Sequence, residues 1–223
     1  MKKNVYLFLF LLLYGLIYQG MAQAAKEIAL VIKVQGVAQV KSGDGDWQTL
    51  KNGRRLHSGD FIKTEKDALV AFVFTDDKSM VKIRSQSQIQ LNGERDQKGI
   101  KKTLLMTLGQ IWSKINPKGA GYKMVTPSGV AAVRGTEFYG DVDVSGKTTI
   151  IGISGLVVLY NKVDSVLVTA GKTATIEKDK APILADTRGF TPWAETDDTA
   201  DTLDIEFEDA NGVRKKLRLK YQE

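Results

Sequence analysis

The stretch at residues 68–75 has the sequence ALVAFVFT, an uninterrupted run with no charged residue. A short apolar run rich in Val and Phe predicts a strand that is buried on both faces. Residues 87–91 show a second pattern, with Ile89 and Leu91 on one face and two glutamines on the other. This alternation predicts a strand with a single buried face. The two patterns together favour a core built from sheets.

Similar segments recur from Ile28 to Lys178, and each is rich in Val, Ile, Thr or aromatic residues. Gly, Asn and Asp separate them and supply positive φ or side-chain-to-backbone hydrogen bonds. No stretch of ten residues after the N-terminal segment has a helical period, so we predict an all-β fold of many short strands. The spacing allows a sandwich, a barrel or a solenoid-like roll. Two loosely similar segments, each a Gly-led strand followed by a polar loop and a Gly turn, favour the roll. We therefore predict a β-roll or solenoid-like sandwich. The further predicted strands are 37–41, 61–64, 79–83, 103–108, 130–134, 137–144, 148–153, 156–160, 166–169 and 174–178.

The N-terminus has the layout of a secretory signal peptide. Lys2 and Lys3 precede the uncharged residues 5–17, and the small-residue triplet Ala-Gln-Ala follows at 22–24. This layout predicts export to the periplasm with residues 1–24 removed. If the segment is not cleaved, it anchors the same domain to the inner membrane, although a spanning helix needs roughly 20 apolar residues. Because the apolar run begins at position 5, we expect no cytoplasmic domain.

The composition disfavours most catalytic classes. The 223 residues include no Cys and one His, so disulfides and thiolate chemistry are excluded. Removal of Lys2 and Lys3 lowers the net charge from +6 to +4, which does not indicate a nucleic-acid partner. His57 lies in a turn, and no nucleophile motif, phosphate loop or metal-ligand spacing accompanies it. We therefore expect no enzyme, catalytic residue, metal, cofactor or small-molecule substrate, and a hydrolase that uses His57 stays as the enzymatic alternative.

The C-terminal segment changes in charge. Residues 195–209 hold eight acidic and no basic residues, and residues 214–220 hold five basic ones. Apolar residues alternate with charged ones in both blocks, and Asp-Ala-Asn-Gly lies between them, which indicates a tight turn. We predict a β-hairpin over 202–221 whose strands carry opposite charge. The predicted organisation is a signal peptide at 1–24, a β domain at 25–185, an acidic linker at 186–201 and a C-terminal β-hairpin at 202–223.

The most distinctive segment is residues 125–138, VTPSGVAAVRGTEF. A Gly inside a strand indicates a bulge or a close backbone approach, and Gly135 interrupts a strand here. Arg134 beside it has two interpretations. It donates to carbonyls that the bulge frees, or it faces a ligand or partner together with Thr136.

This string resembles the signature of the FecR domain, the periplasmic domain of the iron-dicitrate sensor family. Pieces at 47–50, 53–64 and 108–111 fit as well, so the resemblance covers about residues 30–178. It implies an all-β domain on the periplasmic side of the envelope. In signalling members this domain relays the state of an outer-membrane receptor to a cytoplasmic sigma factor. The residues that carry the motif are Thr126, Pro127, Arg134, Gly135, Thr136 and Phe138.

Without a cytoplasmic segment, the chain is expected to be an exported, non-enzymatic FecR-like protein that binds or scaffolds another envelope component. Arg134, Thr136 and Trp193 are the candidate partner-binding residues. No nucleic-acid partner is expected, and a membrane is a partner only if the N-terminal segment is uncleaved.

Two alternatives remain. One is a remnant iron-uptake-type regulator that acts through a membrane partner. The other is a polysaccharide- or peptidoglycan-binding module with exposed aromatic platforms, for which Trp47, Trp112, Trp193 and Tyr122 are candidates. Core packing is the expected role of Trp47 and Trp112.

Overall fold

The computed structural model describes residues 27–194 together with the backbone of 202–208 and 214–220. These residues form strands, turns and bends and include no helix, which confirms the all-β prediction. Within the same ranges, no helix has the length and hydropathy needed to cross a bilayer. The strands are β1 Glu27–Gln35, β2 Ala38–Ser42, β3 Gln48–Thr49, β4 Arg55–His57, β5 Asp60–Thr64, β6 Leu69–Phe74, β7 Met80–Ile83, β8 Gln88–Asp96, β9 Gly99–Lys114, β10 Tyr122–Val125, β11 Val130–Val133, β12 Glu137–Val142, β13 Thr148–Ser154, β14 Leu156–Tyr160, β15 Ser165–Thr169, β16 Lys172–Ile176, β17 Ile183–Asp186, β18 Thr202–Glu208 and β19 Arg214–Lys220.

Strands β1–β17 form one continuous sheet that folds into two layers. Layer A has the order β4-β1-β6-β7-β9-β12-β13-β16-β17. Layer B has the order β3-β2-β5-β8-β9-β10-β11-β14-β15. Neighbours within these layers run antiparallel, except for the parallel pair β9–β10. The chain passes repeatedly from one layer to the other, as in the predicted roll.

Strand β9 belongs to both layers, and Gly109 marks the point where it changes partners. Before Gly109 it pairs with β8 and β10, and from Gly109 onward it pairs with β12. The φ of Gly109 is +107°, and a Cβ there would lie 2.5 Å from the Cα of Ser87. The Ser87 hydroxyl fills this space, because it donates to Arg84 O at 2.8 Å and accepts from Gln110 N–H at 3.0 Å. A residue without a side chain is therefore required at the switch.

One hydrophobic core lies between the two layers. All six residues of β6 are buried, which confirms the strand predicted to be buried on both faces. Edge-to-face aromatic contacts cross the core from Phe72 to Phe74, then to Tyr122 in layer B and back to Phe138 in layer A. Their centroids lie 5.6, 6.4 and 6.2 Å apart. Contacts of this geometry add about 0.5–1.5 kcal/mol each beyond area burial.

A short segment after β17 packs on the outer face of layer A, and we call residues 190–194 the strap. The Tyr139 ring lies 4.8 Å from Phe190 and 5.4 Å from Trp193. Lys82 Nζ donates to Ala194 O at 2.8 Å, and Ala194 is 2% exposed. The described part of the predicted linker therefore contacts the domain.

Strands β18 and β19 pair antiparallel, as the hairpin prediction requires. Their register places position 204 opposite 218, 206 opposite 216 and 208 opposite 214, so acidic positions face basic ones. The predicted signal peptide at 1–24 and the turn at 209–212 lie outside the described residues, as does the end of the linker at 195–201.

Candidate interaction surface

The first half of the motif forms the turn between β10 and β11. Thr126 N–H and its hydroxyl both donate to Gly129 O, at 2.9 and 3.0 Å. The same hydroxyl accepts from Thr148 Oγ1 at 2.7 Å, which connects the turn to the start of β13 in the other layer. Ser128 Oγ donates to Gly146 O at 2.6 Å, beside Pro127. This half of the motif therefore joins two turns at one end of the sandwich.

The second half of the motif is the crossing from β11 to β12. Gly135 has a φ of +64°, and a Cβ there would lie 2.7 Å from Pro117 Cβ. Thr136 is 2% exposed, and its hydroxyl donates to Leu156 O at 2.9 Å and accepts from Leu156 N–H at 3.3 Å. Phe138 lies in the core. Three motif residues are thus occupied by contacts inside the chain.

Arg134 is the exposed member of this crossing. Its Nε donates to Pro117 O at 3.3 Å, a carbonyl of the loop between β9 and β10 and not one freed by a bulge in its own strand. The remainder of the guanidinium has donors for a further acceptor. Arg134 follows Val133, a residue that lines a surface cleft on layer B.

The outer face of layer B carries a row of half-buried apolar side chains, which we call the apolar band. Register places Leu105 opposite Val125, Val125 opposite Val130, and Val130 opposite Tyr160. Phe61 continues the row two strands from Leu105, with Gln90 between them. Every strand from β1 to β17 belongs to one of the two layers, so none of these seventeen strands forms a third layer over this face.

A cleft of about 620 Å³ lies beside the apolar band, across β8 to β11. Its floor is the next row of the same face, in which Asn92 is opposite Thr103, Thr103 opposite Lys123, and Lys123 opposite Ala132. Lys101 also lines it, with its ammonium 3.2 Å from Asp96. The cleft thus presents amide, hydroxyl and ammonium groups, together with the carboxylate of Glu94, next to an apolar strip.

A buried ionic cluster lies beneath this cleft. The Lys102 side chain is 1% exposed, and Nζ lies 2.9 Å from Asp76 Oδ2, 2.7 Å from Asp77 Oδ2 and 3.2 Å from Ile100 O. Burial opposes ionisation of Asp76, but hydrogen bonds from Lys102 and the Ile100 N–H outweigh it and lower the pKa of that carboxyl. All three ammonium protons have acceptors, so the cluster holds the loop after β6 against the start of β9.

Trp193 lies on layer A, away from the apolar band. Its ring contacts Tyr139, and the Arg84 guanidinium carbon lies 5.5 Å from the ring centroid. A cleft of about 350 Å³ lies between this tryptophan and the sheet, lined also by Gln110 and Asp141. Trp193 therefore packs against layer A as part of the strap.

The other aromatic candidates separate by burial. Tyr122 and Trp112 are 2% and 8% exposed, and Trp112 Nε1 donates to Glu137 Oε1 at 3.0 Å, so neither is a platform for a sugar. Core packing was correctly expected for Trp112. It was wrong for Trp47, which is 45% exposed because it precedes the two-residue edge strand β3.

His57 lies at the end of β4, where its described polar neighbour is the Asp60 carboxylate. Its Nδ1 is 4.0 Å from Asp60 Oδ2, while the Asp60 carboxylate accepts from the His57 backbone N–H at 2.8 Å and from Ser42 Oγ at 2.6 Å. In the described part of the chain, no three His, Cys, Asp or Glu residues are grouped so as to hold a metal ion.

The family model described as FecR protein matches residues 60–159. This range begins at β5, ends within β14 and contains the whole motif. Residues 60–159 are a FecR domain, so the resemblance is confirmed over this range. The domain is of the signal-transduction regulator type, and domains of this family are typically periplasmic or membrane-associated.

Solved structures with a similar fold include two crystal structures of a provisionally assigned anti-sigma factor from Parabacteroides distasonis ATCC 8503. Their TM-scores are 0.47 and 0.37, each at 10% sequence identity. The alignments cover 56% and 55% of this chain and 59% and 53% of those chains, so less than two thirds of either structure is spanned. No curated protein matches this chain in sequence.

Proposed function

We propose that this protein is an exported, non-enzymatic FecR-domain protein that binds or scaffolds another protein of the cell envelope in the periplasm. The observation that carries the proposal is the apolar band on layer B, a row of half-buried side chains beside a polar cleft. The FecR match supports a regulatory rather than a catalytic role.

The chemistry of this face favours a protein partner. Burial of apolar surface contributes about 25 cal/mol per Å² to the free energy of association. The band offers five apolar side chains, one on each of five strands. Lys123 is exposed in the row beside the band, and Arg134 is exposed just beyond the end of β11, so a partner with acidic residues beside an apolar strip fits best. Thr136 stabilises the crossing beside this surface through its bonds to Leu156, and Trp193 packs on the opposite layer.

A matched pair of variants tests the surface. Val125→Glu puts a charge into the band, and Thr175→Glu puts the same charge on the outer face of layer A, where Thr175 is also half-buried. We expect Val125→Glu to weaken capture of a protein partner from envelope extract by about tenfold or more, a loss of roughly 1.4 kcal/mol. Thr175→Glu should capture the same protein as the wild type.

The extract is used before and after digestion of its glycans, with circular dichroism to confirm that both variants fold. Capture that disappears with the glycans, or retention on purified cell wall, contradicts the protein partner and supports the polysaccharide-binding alternative. Equal capture by both variants contradicts the assignment to layer B.

Export is tested on the intact protein. Cleavage after Ala24 leaves a mature chain that begins at Ala25, and the mass of the protein from the periplasm measures this directly. A full-length mass in the inner-membrane fraction instead supports the anchored form.

A second candidate function is favoured by the FecR match itself. A remnant regulator that acts through a membrane partner would alter transcription of envelope or iron-uptake genes when the chain is deleted. Transcript profiles of the deletion strain under iron limitation, unchanged from those of the parent, would count against it.

A further inference from the structure

The two ends of the sandwich have edge strands of different kinds. At one end the edges are β3 Gln48–Thr49 and β4 Arg55–His57, with two and three residues. At the other end they are β15 Ser165–Thr169 and β17 Ile183–Asp186. Short or charged edges resist pairing with other strands, whereas β15 has five residues and contains no charge and no proline. Strand β15 is thus the edge most open to an added strand.

Exposed apolar side chains gather at the same end. Among residues 27–194, five of the eight exposed large apolar residues belong to the segments from β14 to β17. Leu167 is 57% exposed at the centre of β15, and Ile183 is 69% exposed on β17, which lies beside β15. The other three of these five residues are Leu156, Val163 and Leu184. Exposed apolar residues near an edge that pairs with no second strand among the described residues are typical of an interaction site.

The sequence of β15 indicates which partner fits. Ser-Val-Leu-Val-Thr has nearly the same pattern in both directions about Leu167. In an antiparallel pair of two such strands, Leu167 faces its counterpart, each Val166 faces a Val168, and each Ser165 faces a Thr169. All five pairs match in size and polarity, which is the self-complementarity that a two-fold interface requires.

We propose that β15 pairs antiparallel with β15 of a second copy of this chain, about a two-fold axis at Leu167. Val168 is buried and Val166 packs against the core, so pairing extends the core face of layer B across both copies. Leu167 gains an apolar neighbour on the outer face. The proposal does not rest on the proposed function, because it uses the edge of β15 and not the apolar band.

Absence of cysteine in the chain allows a direct test. Facing residues of an antiparallel pair have Cα atoms about 4.5–5.5 Å apart, within the roughly 4.4–6.8 Å that a disulfide spans. In the full chain, Leu167→Cys should give disulfide-linked dimers as the main species under mild oxidation. Val144→Cys, at a turn position that is 94% exposed, is the control and should crosslink far more slowly.

Sedimentation of the unmodified chain completes the test. The wild type and Val144→Lys should be dimers at about 100 µM, and Leu167→Lys should be a monomer with an unchanged circular dichroism spectrum. A monomeric wild type, or equal crosslinking of the two cysteine variants, would overturn the proposal. If Leu167→Lys fails to fold, the comparison of the Leu167→Cys and Val144→Cys variants still tests whether β15 forms the interface. Loss of the dimer without loss of partner capture separates this interface from the apolar band.

Discussion

The hydroxyl of Thr136 shows how one motif residue holds the crossing between layers. It makes hydrogen bonds to both the N–H and the carbonyl of Leu156 while it is almost fully buried. Thr136→Val keeps the shape of the side chain and removes both bonds, which leaves the partly buried N–H and carbonyl of Leu156 without this partner. We expect the free energy of unfolding in urea to fall by about 1–3 kcal/mol.

Thr175→Val is the matched control, since Thr175 lies half-buried on a strand in layer A. This change should leave the unfolding free energy almost unaltered. Similar losses for the two variants would show that the Leu156 contacts contribute little.

Lys102 is the second residue whose environment makes a clear prediction. Lys102→Met leaves Asp76 and Asp77 without the ammonium that lies within 3 Å of both. Removal of one partner from a buried ion pair costs about 3–5 kcal/mol, which urea unfolding at pH 7 would measure. Lys123→Met, at an exposed position, should cost far less.

The same cluster predicts a pH dependence. Because the pKa of Asp76 is lowered in the folded state, its contribution to stability is present above the unfolded carboxyl pKa of about 4 and is lost as the pH falls through the folded value. In Lys102→Met the Asp76 carboxyl loses the charge that favours its ionisation, so the difference in unfolding free energy between wild type and variant should shrink from pH 7 to pH 3. A difference that stays constant over this range would contradict the account.

Strand β9 decides the connection between the layers, and Gly109 is the position that makes its change of partners possible. Gly121 has a similar φ of +117°, but a Cβ there would point into open space among the described residues, whereas a Cβ at Gly109 meets Ser87. Gly109→Ala should therefore lower the free energy of unfolding by about 1–3 kcal/mol more than Gly121→Ala, because it adds overpacking to backbone strain. Equal effects in urea unfolding would mean that Ser87 moves aside freely.

Some elements follow from sequence pattern and others do not. The apolar run of β6 and the alternation of β8 predict their own burial, and both predictions are confirmed. The predicted strand at 103–108 is only the middle of β9, because its neighbours on both sides contain charged residues and Gly109 resembles a turn signal. The short strands β3 and β4 are too brief for any period to show. They form because β1 and β2 offer them open edges.

At the scale of the whole molecule, the packing of the strap predicts that the domain extends to residue 194. Phe190, Trp193 and Ala194 pack on Trp112 and Tyr139, beyond the boundary at 185 that the sequence predicts. A chain that ends after residue 194 should keep the thermal stability of the full protein. A chain that ends after residue 189 loses this packing, and we expect its free energy of unfolding to fall by about 2–5 kcal/mol. Equal melting temperatures for the two chains would instead support the boundary at 185.

Only part of the candidate surface could be predicted from the sequence. The motif marked Arg134 and Gly135 as unusual positions, but it predicted a bulge inside one strand, whereas residues 134–136 connect β11 to β12. The apolar band could not be found in this way, since Phe61, Leu105 and Tyr160 are far apart in sequence and meet only through strand register.

The local pattern of apolar residues and turn residues determined that this protein is all-β, because side-chain alternation and turn chemistry act over a few neighbouring residues. Tertiary structure alone decided which strands share a layer, which apolar rows remain open and that Trp193 packs on Tyr139. These features depend on pairing between segments that are distant in the chain, and no local pattern encodes that pairing.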